Sequence, residues 1–347
     1  MPKVSVLMAA YDAEPYLGES VDSILNQTFT DFEFIIVEDG STDSSPQILE
    51  RYAKQDRRIR LVLNRSNLGL TPSLNNGLQL ATADYVARQD ADDISLPQRL
   101  ALQVEFLDKH PEVGVLGTWM TNVDKRGQRV IWQTPTSNAL IGWSLLFGTS
   151  IAHASVMLRR SLLEGNAPFK PEMLHAEDYD LWARLSEKTQ LANLQECLYL
   201  RRMHKDRVSV RYHEKQEETT KYIMHNNMKK LMGAEIREEL VSSIWNAICG
   251  RMLGSATDLK KVSDLYIRLY KVFVAKNTLD MVSCKEINHD LANRLTRLGL
   301  KHIRHWPADA IQILWAGIRL SPRASINCYL VELFKILICN ESHPTIL

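Results

Sequence analysis

Arg88-Gln89-Asp90-Ala91-Asp92-Asp93 sets three carboxylates within a few residues of one another. The stretch follows an apolar, strand-like run, Tyr85-Val86-Ala87, and precedes Pro97, a residue type that opens helices at their first turn. Crowded carboxylates repel one another unless a cation relieves them. Hard divalent cations such as Mg²⁺ and Mn²⁺ take oxygen ligands, and Mg²⁺ is commonly held by one or two carboxylates plus substrate phosphates. A metal–diphosphate site is one reading of this loop, and a solvated acidic turn is the other. A second acidic group opens His175-Ala176-Glu177-Asp178-Tyr179-Asp180-Leu181-Trp182, whose apolar spacing predicts a helix. Carboxylates in a first turn complement the helix dipole, so this pair has a structural reading as well as a chemical one. His204, at the end of Leu198-Tyr199-Leu200-Arg201-Arg202-Met203, is a lone histidine, a type more often structural than ligating.

The elements that must carry these groups alternate. Val4–Ala10 reads as a buried strand, followed by a helix to about Asn26 with Leu17, Val21, Ile24 and Leu25 inward. Phe34–Val37 is a second strand and Ile59–Leu63 a third, each followed by a helical pattern. Ser41 or Asp43 is expected to cap the helix between them. The fourth strand delivers the acidic loop. Repeated strand–helix alternation with short, continuously apolar strands predicts a mostly parallel sheet with helices on both faces. Each strand ends on polar residues: Tyr11 and Asp12, Asp39, Asn67, then Asp90 and Asp92. Ligands of open α/β sheets bind outside those carboxyl ends. Neither G-x-G-x-x-G after the first strand nor G-x-x-x-x-G-K-[ST] is present, so a bound nucleotide would need a metal for its phosphates. Further on, Gln98–His110 reads as a helix, Val113–Met120 and Ala154–Leu158 as strands, and Asp124–Gly127 as a hairpin turn into Val130–Trp132.

These segments together resemble the inverting family 2 glycosyltransferases of GT-A fold. The similarity lies in Val4–Leu17, Phe32–Asp43, Asn67–Asn75, Tyr85–Gln103, Ala154–Arg160, Ala176–Leu185 and His204–Ser209, in the family's order, over roughly the first 210 residues. Asp12 stands where the family more often has Asn, and Ala83 where it has Gly. The resemblance implies the following roles. Asp90-Ala91-Asp92 is the DXD motif, with Asp92 a metal ligand and Asp90 by the ribose or metal. Ala9, Ala10, Tyr11, Asp39, Asn67, Asp90 and Ala91 surround the nucleotide. Asp178 is the catalytic base. His204 completes metal or diphosphate coordination. Asp93, His153, Glu177 and Trp182 lie near the donor or acceptor sugar. The implied cofactor is a divalent metal, Mn²⁺ or Mg²⁺. The implied donor is a nucleotide-sugar, UDP favoured with dTDP and GDP open, and the implied acceptor is a glycan or lipid-linked hydroxyl. A catalytically silent sugar-nucleotide-binding scaffold of the same fold is the alternative, and the glycine-rich basic phosphate loop that a nucleotidyltransferase needs is not seen near Ala9.

Residues 1–212 are thus expected to form the catalytic domain and 213–347 an α-helical region, with helices near Thr219–Met232, Val241–Leu253, Leu259–Phe273, Asn288–Leu298, Ala308–Leu320 and Arg323–Ile338. The apolar positions Ile326, Tyr329, Leu330, Leu333, Phe334 and Leu337 suggest packing against the catalytic domain or a second copy. The alternative is peripheral membrane contact, aided by the basic stretch Arg201–Lys230. A net charge of +1 gives no general attraction to nucleic acid. Five scattered cysteines without a CxxC pair fit neither a disulfide framework nor a zinc site. No signal peptide or transmembrane run is expected, which points to a cytoplasmic protein.

Overall fold

A computed structural model of the 347-residue chain describes residues 1–163, 165, 167–204 and 207–338. Lys205, Asp206 and Cys339 lie outside the described residues, as do the side chains of Val208, Ser209, Leu333, Phe334 and Leu337. The chain divides into two compact units, Met1–Thr220 and Lys221 onward.

The first unit opens with β1 (Val4–Ala10), α1 (Glu14–Leu25), β2 (Phe32–Glu38), α2 (Ser45–Gln55), β3 (Ile59–Leu63), α3 (Leu70–Leu78) and β4 (Tyr85–Asp90). β5 (Ile94–Ser95), α4 (Arg99–Lys109), β6 (Val113–Val123), β7 (Arg129–Trp132), α5 (Asn138–Ser144), β8 (Met157–Arg159), α6 (Glu177–Leu185), β9 (Gln190–Arg202) and the short α7 (Val208–Arg211) follow. One nine-stranded sheet runs in the order β3-β2-β1-β4-β8-β6-β9-β5, with β7 on β6. Its first four strands are parallel, as the alternation predicts. The rest of the sheet is mixed. β8 is antiparallel to β4 and β6, β6 is parallel to β9, and β5 is antiparallel to β9. The local pattern of an apolar strand carries no direction, so this half was not legible from alternation.

Alternate residues of β1 and β2 serve opposite faces. Val6, Met8, Phe34 and Ile36 join one core with Leu17, Val21, Leu49, Leu100 and Val104 from α1, α2 and α4. On the other face α3 comes so close that a Cβ on Gly77 would lie 2.3 Å from Leu7 Cδ1. Helices therefore cover both faces of the parallel strands.

Some boundaries differ from expectation. Ala154 and Ser155 belong to a 3₁₀ turn, and the strand begins at Met157. β9 reaches back to Gln190. α2 starts at Ser45, after Ser44, and Asp43 Oδ1 instead accepts from the Ser45 N–H at 2.9 Å. The hairpin at Asp124–Gly127 forms, with Gly127 at φ 77°.

The helices of the second unit are α8 (His213–Met232, which begins in the first unit), α9 (Glu238–Ile248), α10 (Ala256–Lys276), α11 (Met281–His302), α12 (Pro307–Leu320) and α13 (Pro322–Ile338). α12 and α13 both pack on α11. A Cβ on Gly317 would sit 2.9 Å from Thr296 Oγ1 and 3.1 Å from the Ala292 carbonyl, so glycine is what lets α11 and α12 approach. The Thr296 hydroxyl donates to Ser325 Oγ at 3.0 Å beside it.

Candidate active site

The site is built at the carboxyl ends of β1, β2 and β4. Ala9 pairs with Asp90 across β1 and β4, so the expected nucleotide residues adjoin the acidic loop through the sheet register. The Asp39 N–H donates to the Ala10 carbonyl at 2.9 Å. The Asp39 side chain is 2% exposed, and both its oxygens are engaged. Oδ1 accepts from Asn64 Nδ2 at 2.8 Å and the Leu68 N–H at 2.9 Å, while Oδ2 accepts from the Gly69 N–H at 2.9 Å. Asp39 thereby fixes the loop that presents the exposed side chain of Asn67. Gly40, at φ 70°, is required here because a Cβ would lie 2.5 Å from the Ser66 carbonyl carbon.

In the acidic loop, donor atoms of Asp90, Asp92 and Asp93 lie within 4.8 Å of one another. Three devices hold them there. Arg88 shares a strand face with Asp90, and its Nη2 reaches Asp90 Oδ1 at 2.6 Å. Arg99, fully buried at the start of α4, donates to Ser95 Oγ at 2.7 Å, to the Arg88 carbonyl at 2.7 Å and to Gln89 Oε1 at 3.2 Å. β9 clamps the loop from its other side. The Tyr199 hydroxyl accepts from the Asp90 N–H at 3.1 Å, the Arg202 N–H donates to Asp93 Oδ1 at 2.8 Å, and Arg202 Nη1 donates to the Asp92 carbonyl at 3.0 Å. His204 Nε2 lies 2.8 Å from Asp92 Oδ2, while its buried Nδ1 has no partner among the described residues.

Crowding leaves its mark on ionisation. Burial, then the charges of Asp92 and Asp90, push the Asp93 carboxyl well above the ordinary range. Burial acts the same way on Asp92, but its hydrogen bond and charge interaction with His204, aided by Arg207, hold it low. An oxygen-rich cluster with one carboxyl forced toward protonation, and an imidazole Nε2 2.8 Å from Asp92, fits a hard divalent cation.

α6 carries the second acidic group, on which the charges of Arg88 and Asp90 act. The residue preceding its N-cap, His175, is held at φ 62°, a strained conformation for a non-glycine residue. Glu177 is 5% exposed, with Oε1 3.9 Å from His153 Nδ1. Burial, then the charge of Asp178, pushes its carboxyl up to about 7. Asp178 is only half-buried by surface. Desolvation raises its carboxyl to about 6 against the pull of the Tyr179 N–H, which donates to Oδ1 at 2.7 Å. The charges of Asp90 and Arg88 act on it from β4 in opposite senses. His153 lies between the rings of Phe169 and Trp182, with centroids at 5.2 and 6.2 Å, and burial keeps it neutral. The buried Trp182 Nε1 and His153 Nε2 have no partners among the described residues.

The residues expected near the sugar thus fall into two places. Asp93 joins the acidic loop, and His153, Glu177 and Trp182 form one cluster. Residue-by-residue reading missed Arg88 as a partner of Asp90, Arg99 as the loop's support, and the clamp from Tyr199 and Arg202. The two arginines stand at the boundaries of the acidic stretch and its helix, where they read as ordinary flanking charge. Elsewhere a cleft of about 400 Å³ opens at the opposite ends of β1 and β4, around Lys3, Asp84, Asp108 and Arg159. Lys3 is already paired there with Asp84 and Asp108, at 3.4 and 3.1 Å.

The fold is an α/β architecture with an acidic cluster at the ends of its parallel strands, and comparison with known proteins gives the family. Residues 5–165 match the model of Glycosyl transferase family 2. An uncharacterized glycosyltransferase of Haemophilus influenzae is 35% identical over 237 residues, spanning 65% of this chain and 73% of its own length. The amylovoran biosynthesis glycosyltransferase AmsE of Erwinia amylovora is 32% identical over 211 residues, spanning 60% of this chain and 79% of its own. The crystal structure of S. aureus TarS 1-349 in complex with UDP-GlcNAc matches with a TM-score of 0.53 at 19% identity, covering 90% of this chain and 89% of that one, a likeness of fold. The chain belongs to glycosyl transferase family 2. It is a glycosyltransferase with a GT-A fold and a helical C-terminal region.

Proposed function

We propose that this enzyme moves a sugar from a nucleoside-diphosphate donor, UDP favoured, to a hydroxyl of a glycan or lipid-linked acceptor, inverting the anomeric configuration. The observation that carries this reading is the joint approach of two carboxylate groups, the Asp90–Asp93 loop and the half-buried Asp178, which lies within the field of Asp90 and Arg88. Ala9, Ala10, Tyr11, Asp39 and Asn67 are the proposed nucleotide cradle, with Asp90 and Ala91 closing it. Asp92 and His204 are the proposed ligands of Mn²⁺ or Mg²⁺, with Asp90 and Asp93 adjoining. A divalent cation bound there would neutralise the diphosphate charge as a Lewis acid. Asp178 takes the acceptor hydroxyl proton as its oxygen attacks the anomeric carbon, and a carboxyl near pH 6 is ionised at neutral pH yet basic enough to accept it. One base suffices for an in-line displacement, whereas a retained configuration through a covalent intermediate needs a separate nucleophile. Glu177, His153 and Trp182 are proposed to shape the sugar pocket. The biosynthetic name of AmsE supports a polysaccharide acceptor.

The test is a panel of UDP-, GDP- and dTDP-sugars with a mixture of glycan and lipid-linked acceptors, with Mn²⁺ and with chelator. Metal-dependent release of nucleoside diphosphate from one donor is expected. Pyrophosphate release would indicate nucleotidyl transfer, and absence of donor binding by calorimetry would overturn the reading altogether.

A further inference from the structure

α12 is apolar except for Asp309, Gln312 and Arg319. Ala310, Ile313 and Gly317 are buried, while Ile311, Trp315 and Ile318 recur at i, i+4 and i+7 on the outside, with Trp315 57% exposed. α13 repeats the arrangement. Ala324 and Cys328 are buried, and Ile326, Tyr329 and Leu330 face out, Ile326 being 58% exposed. Both helices use their inner faces on α11, so two apolar outer faces stand on neighbouring helices. An exposed apolar patch built from several large residues marks an interaction site.

The charges around the patch indicate what covers it. Lys301, Arg304 and His305 precede α12, and Arg319 and Arg323 stand at its junction with α13, all of them exposed. Among the described residues Lys301, Arg304, Arg319 and Arg323 take part in no ion pair, whereas Asp309 and Glu332 are drawn away by Lys260 at 3.7 Å and Arg297 at 3.9 Å. These are the two acidic residues on the described side chains of α12 and α13. A two-fold pairing of this face with its own copy would bring Arg319 and Arg323 toward their counterparts with no carboxylate to meet them. Apolar residues that include Trp and Tyr, rimmed by cations, instead match the boundary between acyl chains and anionic headgroups. No helix among the described residues is long and apolar enough to cross a membrane, so the contact would lie along the surface.

We propose that the outer face of α12 and α13 docks on an anionic phospholipid surface, Ile311, Trp315, Ile326 and Leu330 entering the interface while Arg319 and Arg323 meet phosphates. This rests on these helices and not on the proposed catalytic chemistry, so its test needs no sugar substrate. The full chain is mixed with phosphatidylcholine vesicles, with and without phosphatidylglycerol, and followed by co-sedimentation and tryptophan fluorescence at low and high salt. Binding to the anionic vesicles alone, weakened by salt, is expected. Arg319→Gln with Arg323→Gln should weaken it about thirtyfold, at roughly 1 kcal/mol per basic residue removed. Both changes are at exposed positions, so an unaltered thermal melt shows that the fold is kept. Trp315→Ser should abolish the blue shift. No sedimentation with anionic vesicles, equal binding to both vesicle types, or a solution dimer that Trp315→Ser dissociates would each overturn the proposal.

Discussion

The acidic loop after β4 and the acidic pair at the start of α6 present the same functional group under different conditions. In the loop Arg88 pairs with Asp90 and His204 with Asp92, so Asp92 is held low despite its burial, while burial and the neighbouring charges push Asp93 up. In the pair there is no such direct cationic contact among the described residues. His153 beside Glu177 is neutral, and burial raises Glu177 to about 7 and Asp178 to about 6. At Asp92 the first environment suits a ligand that must stay ionised, and the second suits a group that must accept a proton near neutral pH. In the proposed mechanism, environment separates the roles of chemically identical groups, as in other carboxylate enzymes.

The largest expected effect breaks the pair. Asp178→Asn should lower sugar transfer by roughly 10²–10⁴-fold, the range of general-base contributions. Donor affinity by calorimetry should stay close to wild type. Retained turnover would move the base role away from Asp178. Breaking the loop should do the reverse: Asp92→Ala is expected to weaken Mn²⁺-dependent donor binding at least roughly tenfold, the lower end of what metal-site substitutions cost. Donor affinity unchanged in Mn²⁺ would remove Asp92 from the metal site.

Arg88 joins the two regions, and replacing it sharpens the comparison. Its charge lowers Glu177 and Asp178 while its guanidinium holds Asp90. Activity should fall below about pH 6 in the wild type, as Asp178 takes up its proton. In Arg88→Met the acid limb of the pH–rate profile should move up by about one unit, the scale on which a nearby charge acts, and Arg88→Lys should restore most of that shift. An unmoved acid limb would confine Arg88 to structural support of Asp90.

The smallest effect is on stability. Both carboxyls of the pair have folded pKa values above their ordinary ones, so the native state binds more protons than the unfolded chain between about pH 4 and pH 7. Their contribution to stability therefore falls as pH rises through that window. Asp178→Asn should stabilise the protein by about 1–3 kcal/mol at pH 8, and the gain should vanish by about pH 4. Thermal melts at the two pH values check this, and an equal effect at both would contradict the raised carboxyl.

Much of the first unit was legible because its signals are local. β1, β2, β3 and β4 are short apolar runs ending on polar residues, and their parallel order follows from the helices between them. The acidic loop and the α6 pair were visible as motifs. The mixed half of the sheet was not, since the partners of β8, β6 and β9 are chosen by contacts distant in sequence. The supports of the site were hidden for the same reason. Tyr199 and Arg202 meet the loop across more than a hundred residues, and nothing near Arg99 announces that its guanidinium will be buried against the Arg88 carbonyl. In the second unit, spacing predicted the helices, though α11 begins at Met281 rather than near Asn288. The outward stripe of Ile311, Trp315 and Ile318 needed the structure, because an apolar residue on an apolar helix does not reveal which side is covered.

By itself, the sequence determined the alternation of strands and helices, the polar edge where the strands end, and the residue types available there. These depend on periodicity and on neighbours in the chain. Tertiary structure decided which carboxylates are relieved by cations and which are raised by burial, and which faces of α12 and α13 are left uncovered. Both depend on desolvation and on charges brought together from distant segments, and those quantities exist only once the chain is folded.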